Sequence, residues 1–153
     1  MIRHFITVAA AFCALAATPA RAAQGSFTAE KAQAQLSNYL HVWSTDSGVN
    51  PRSMARFYAD HVIYYGKPMS RDQVLRDKLQ YIRTWPQRYY RIVPGTVSTD
   101  CDGVHSLCRV RGVMQWDRRS RGGERFVGSA LLSLTFSKNS GARIVQESAS
   151  LAR

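Results

Sequence analysis

The sequence predicts an α+β domain in which N-terminal helices pack on one face of a curved antiparallel β-sheet. Three observations point there. Helical periodicity is confined to the first half of the chain, the pattern turns to long strand-like runs after Pro86, and glycine-rich turn signals separate those runs.

The first segment is expected to lie outside that domain. Met1-Ile2-Arg3-His4 is a short basic lead, Phe5 to Ala17 is an uncharged apolar run, and Thr18-Pro19 breaks it before Ala20-Arg21-Ala22. This is the pattern of a cleavable signal peptide over residues 1–22, cut near Ala22-Ala23. The apolar run is shorter than the roughly 20 residues that span a bilayer, and no second long run follows. Residues 23–153 are therefore expected to form a single soluble, periplasmic or secreted domain without a transmembrane segment.

Residues 28–44 form the first helical pattern, with Ala29, Ala32, Leu36, Tyr39, Leu40 and Trp43 on one face and Thr28 as N-cap. Thr45-Asp46-Ser47-Gly48 is a loop. Asn50-Pro51 opens a short second helix carrying Met54, Phe57 and Tyr58. Val62-Ile63-Tyr64-Tyr65 reads as a strand stopped by Gly66. A third helix runs from the Ser70 N-cap to about Trp85, with Val74, Leu75, Tyr81, Ile82 and Trp85 as its stripe. Four strands follow at roughly 87–99, 104–117, 124–138 and 142–150. The third alternates clearly, placing Phe126, Gly128, Ala130, Leu132, Leu134 and Phe136 on one face.

Composition narrows the function classes. Loss of Arg3 and Arg21 leaves 19 basic and 10 acidic side chains, a net charge of +9. Export makes nucleic acid an improbable partner for that charge, and no recognition motif is present. The mature chain keeps Cys101 and Cys108 around an Asp102-Gly103 turn signal, which in an oxidising compartment predicts a disulfide across a short hairpin. His41, His61 and His105 show no metal-ligand spacing, so no metal site and no cofactor are expected.

Phe57-Tyr58-Ala59-Asp60-His61-Val62, with Tyr64-Tyr65-Gly66-Lys67, is similar to a stretch shared by exported bacterial members of the NTF2-like (SnoaL-like) superfamily. Ser70-Arg71-Asp72, Val74-Leu75, Asp77-Lys78, Tyr81, Trp85-Pro86, Arg88 and Tyr90 continue the resemblance, and the order of elements agrees with it. The resemblance implies a cone whose sheet wraps around a pocket closed by helices. That superfamily includes ketosteroid isomerase, polyketide cyclases and scytalone dehydratase, together with members of no known catalysis. An Asp–His pair of the kind that marks its enzymes has no match in this sequence.

Lys78 is the most informative single residue. It falls near the middle of the third helix's apolar stripe, where a lysine needs a partner or a purpose. It either acts in a cavity, as an anion-binding or acid–base group, or pairs with a carboxylate, or snorkels to the rim. Glu147, taken to alternate with Val145, Ala149 and Leu151, and Asp60 are the two candidate partners. Tyr64, Tyr65, Trp85, Tyr90 and Trp116 either line a pocket or fill the core. Arg111 joins them only if Cys108, Val110 and Met114 face the other way. Asp60-His61 makes a poor dyad, because adjacent strand residues face opposite sides. The run Asp117-Arg118-Arg119-Ser120-Arg121, with Glu124-Arg125, reads as a basic hairpin tip able to touch an anionic surface.

No nucleophile motif or phosphate loop is present. The expected function is an exported, non-catalytic domain that binds a small apolar or anionic ligand or a cell-envelope partner. Two alternatives stand beside it: a lyase or isomerase using Lys78, Glu147 or a pocket tyrosine, and a structural module forming a homodimer through its sheet.

Overall fold

Each helix starts where the sequence supplies a cap. In the computed structural model, which describes residues 27–45 and 47–151, α1 spans Ala29–Trp43, and the Thr28 hydroxyl accepts from the Lys31 amide. Helix α2 (Pro51–Phe57) and helix α3 (Arg71–Thr84) both open on reciprocal capping boxes, Asn50 with Ser53 and Ser70 with Gln73. The signal-peptide segment lies outside the described residues.

Among the described residues seven strands form one open sheet: β1 (Tyr58–Tyr64), β2 (Lys67–Ser70), β3 (Gln87–Ile92), β4 (Ser98–Asp102), β5 (Leu107–Arg119), β6 (Arg125–Ser137) and β7 (Arg143–Leu151). The order is β2-β1-β7-β6-β5-β3, with β4 also paired to β5. All neighbours are antiparallel except β1 and β7, so the sheet is mixed rather than wholly antiparallel. The fold class is α+β, with the three helices packed against this sheet.

Some boundaries differ from expectation: Tyr58, expected on the second helix, has extended backbone and opens β1 four residues before Val62. The predicted strand at 87–99 is split into β3 and β4, which share β5 as partner. Pro94, lacking an N–H, and Gly95, at φ 78°, interrupt the ladder between them. Strand β2 was not foreseen. It turns back on β1 through Tyr65-Gly66, a two-residue turn with both φ values positive (49° and 80°).

Alternation sets the inner face. Cys108, Val110, Gly112 and Met114 on β5, and Ala130, Leu132, Leu134 and Phe136 on β6, are buried beneath the helices. On β7 the alternation is broken. Phe136 pairs with Ile144 but Thr135 pairs with Gln146, leaving Val145 as a bulge. The bulge puts both Ile144 and Glu147 inside, whereas an unbroken strand would turn Glu147 outward. Val145, expected in phase with Glu147, is therefore not on its face.

Arg88 ties the helix ends to the sheet. It is buried, and its Nε and Nη2 donate to the Trp43 and Thr45 carbonyls, each at 2.8 Å. A cation there suits the negative end of α1.

Cys101 and Cys108 face each other in the β4–β5 register and are joined by a disulfide, as the sequence predicts. It closes a short loop, for which chain entropy gives about 2 kcal/mol of stabilisation. Urea unfolding with and without reductant should differ by about that amount, at an unchanged m-value. Equal midpoints would show that the bond contributes nothing.

Candidate functional site

The site begins with a buried charge. Lys78, on the inner face of α3, is 1% exposed and Glu147 is 2% exposed; the ammonium stands 3.5 Å from Glu147 Oε1. Of the two partners left open by the sequence, Glu147 is the one. Asp60 lies on the surface and pairs with Arg71 at 2.8 Å instead.

Hydroxyls complete the pair. The Lys78 Nζ donates to the Tyr39 hydroxyl at 2.8 Å. Tyr39 in turn donates to Glu147, 3.0 Å from either oxygen, and Tyr58 makes a second, close hydrogen bond to Oε2. The Tyr65 hydroxyl reaches Oε1 at 3.4 Å. Around the ammonium stand the rings of Trp43 (4.2 Å to the centroid), Tyr39 (5.2 Å), Tyr64 (5.3 Å) and Tyr58 (5.6 Å). Burial draws the Lys78 pKa below the usual lysine range, and the neighbouring Glu147 opposes that fall. Burial raises Tyr39 and Tyr58 well above 10, with the Glu147 charge adding to the rise, so both remain hydrogen-bond donors.

Above this network lies an open cavity of about 660 Å³. Five of the expected pocket residues line it: Tyr64, Tyr65, Lys78, Tyr90 and Trp116. Glu147 does not; it sits behind Lys78 in the floor. Trp85 does not line the cavity either. It packs edge-on against Phe126 at 5.1 Å and backs Arg118, whose guanidinium carbon is 4.4 Å from its ring. Arg111 is exposed on the outer face, because Cys108, Val110 and Met114 hold the inner one.

Several lining residues were not anticipated. Trp43 stacks on Tyr90 at 6.0 Å and lies 5.5 Å from Tyr81, making a three-ring wall. Asp77 stands at the rim near Tyr64, and burial with the Glu147 charge raises that tyrosine far above 10. Arg118, read from the sequence as part of a basic tip, turns inward to the cavity and donates to the Tyr81 hydroxyl. Its strand phase with Met114 and Trp116 was the available signal. The tip keeps Arg119, Arg121 and Arg125, the last held by Asp117 at 2.6 and 2.9 Å.

Gly128 shapes one wall by lacking a side chain. It faces Trp116 across the β5–β6 ladder, and a Cβ there would collide with the indole Cζ2 and Cε2. The indole can therefore lie flat along the strand.

No protein-family model matches the chain, and no curated protein matches it. Solved structures do. An NTF2-like superfamily protein from Salmonella enterica serovar Typhimurium superposes with a TM-score of 0.65 at 13% identity, over 82% of this chain and 94% of that one. AusH from Aspergillus nidulans gives 0.60 at 14% identity, over 82% and 88%. A candidate polyketide cyclase from Xanthomonas campestris gives 0.55 at 11% identity, over 79% and 90%. The chain has the NTF2-like fold. At these identities the likeness extends to fold alone.

The tyrosines give the protein a signed pH dependence. Tyr39, Tyr58, Tyr64 and Tyr90 are all raised above 10 in the folded state, burial being the first cause of each. Above pH 10 the unfolded chain loses those protons first, so stability falls as pH rises. Lys78, shifted down, acts in the opposite sense, but is one group against five, since Tyr65 is raised as well. Each tyrosine contributes up to about 1.4 kcal/mol per pH unit. Urea midpoints should be level from pH 8 to 9.5 and fall steeply by pH 11. A midpoint still level at pH 11 would contradict the burial of these hydroxyls.

Proposed function

We propose that the chain is an exported, non-catalytic domain that binds a small molecule in the aromatic cavity. One observation carries the reading: the cavity is open and preformed, while the acid–base groups near it are already spent on one another. Lys78 offers three N–H bonds, and its surroundings are Tyr39, Glu147 and aromatic faces. Both Glu147 oxygens accept from tyrosines. Among the described residues no strong base is left free on the cavity floor, Asp77 being the one carboxylate at its rim, which argues against the lyase or isomerase alternative. Cavity volume and composition fall in the range of small-ligand sites, with apolar walls and few polar groups.

Export rests on residues 1–22 and their Ala20-Arg21-Ala22 cleavage signal. A second reading, association through the sheet, has its own observation. Tyr89, Val127 and Leu131 on the outer face are 59%, 67% and 40% exposed.

Native mass spectrometry of protein recovered from the periplasm tests the set. The expected species begins at Ala23 and retains a small molecule; a ligand-free dimer favours the second reading. Ala149 lines the cavity and is partly buried. Ala149→Phe should fill the space, weakening binding of the neutral dye N-phenyl-1-naphthylamine at least about 10-fold while the unfolding free energy falls by no more than about 1–3 kcal/mol. Unchanged dye affinity would place binding elsewhere.

A further inference from the structure

Resting on the reading of the cavity as a ligand site, we infer that its ligand is a flat, largely apolar molecule carrying one acidic group, and that this group docks on Arg118. The inference comes from the charges that face the cavity. Among the described residues Lys67, Lys78 and Arg118 are its cations and Asp77 its one lining carboxylate. Lys78 is neutralised from behind by Glu147. By count Asp77 matches one of the remaining two cations, so the described lining carries one positive charge in excess.

Arg118 is the cation equipped to receive an anion. Its guanidinium is held by aromatic faces, Trp85 at 4.4 Å, Tyr81 at 5.6 Å and Trp116 at 5.8 Å. Among the described residues no carboxylate forms an ion pair with it. Rings satisfy the face of a guanidinium but not its N–H edge. One Nη donates to Tyr81, and Nε is buried with no acceptor. A carboxylate, sulfonate or phosphate monoester could take two of the remaining N–H groups in a bidentate pair. The packed rings fix the fork's orientation beforehand, so little side-chain freedom is lost on binding.

The rest of the ligand follows from the walls. Trp43, Tyr90, Trp116, Met114, Ala130 and Leu151 offer flat aromatic and small apolar surfaces beside Arg118. A second acidic group would meet Asp77 at the rim or the Glu147 charge behind the floor. One anionic head on a planar apolar body is the best fit.

Two dyes that share a skeleton test this. 8-Anilino-1-naphthalenesulfonate carries a sulfonate, and N-phenyl-1-naphthylamine lacks it. The sulfonated dye should bind the full mature chain more tightly than the neutral one. Arg118→Met should weaken the sulfonated dye by about 10- to 100-fold, the loss of a charge-assisted hydrogen-bonded pair, and change the neutral dye by less than about 3-fold. Arg118→Lys should recover part of the affinity, and Lys67→Met should weaken the sulfonated dye less than Arg118→Met does. Near-UV circular dichroism of each variant guards against dye binding to a loosened core. If neither dye binds the native chain, the ligand-site reading itself falls. If both bind but Arg118→Met weakens them equally, or if Lys67→Met removes the preference, the cavity stands as a ligand site and the assignment of an acidic group to Arg118 is overturned.

Discussion

A lysine and a glutamate buried side by side constrain everything around them. Taking two charges out of water is expensive, and their mutual attraction offsets that cost only when the remaining donors and acceptors are also satisfied. Here the completing groups come from distant parts of the chain. Tyr39 arrives from α1, Tyr58 from the junction of α2 and β1, and Tyr65 from the β1–β2 turn. The pair thus fixes where the helices sit on the sheet. It also accounts for the bulge at Val145, without which Glu147 would point to solvent. Tyr65, at φ 49°, adopts a conformation uncommon for a bulky side chain and places its hydroxyl near the same carboxylate.

The cavity is the consequence. The ion pair and its tyrosines lie beneath α3, and aromatic residues line the cavity beside them. Two cations in this region have opposite situations. Lys78 is enclosed and matched; Arg118 is held by rings and unmatched. A saturated floor beneath an unsatisfied guanidinium is what supports the proposal of a binding site over a reaction centre. Gly128 adds a geometric condition, since only a residue without Cβ lets the Trp116 indole lie along the wall.

Much of this was legible before any coordinates, and for identifiable reasons. Helical phase alone marks Lys78 as buried, because 100° per residue places it inside the stripe. Strand phase selects Glu147 too, soundly through Ala149 and Leu151 but wrongly through Val145, which proves to be the bulge residue. An extra residue is invisible to a two-residue period. The same period is sound on β5, where it excludes Arg111 and would have admitted Arg118 had the dense basic run not suggested a solvated tip. Trp85 shares the α3 stripe with Lys78 yet caps the helix and turns to Phe126, a choice that tertiary packing makes. The Pro94-Gly95 break and strand β2 were missed because short edge elements carry little periodic signal.

The central claim is that Lys78 and Glu147 form one coupled, closed structural unit. A double-mutant cycle in urea tests it most directly, using Lys78→Met, Glu147→Leu and the two combined. The account predicts that each single change loses about 3–5 kcal/mol, since it strands a buried charge, and that the double variant loses clearly less than the two losses added together. A single variant that cannot fold beside a double variant that can is the same result in stronger form. Strictly additive losses, or a Lys78→Met protein as stable as the parent, would contradict it.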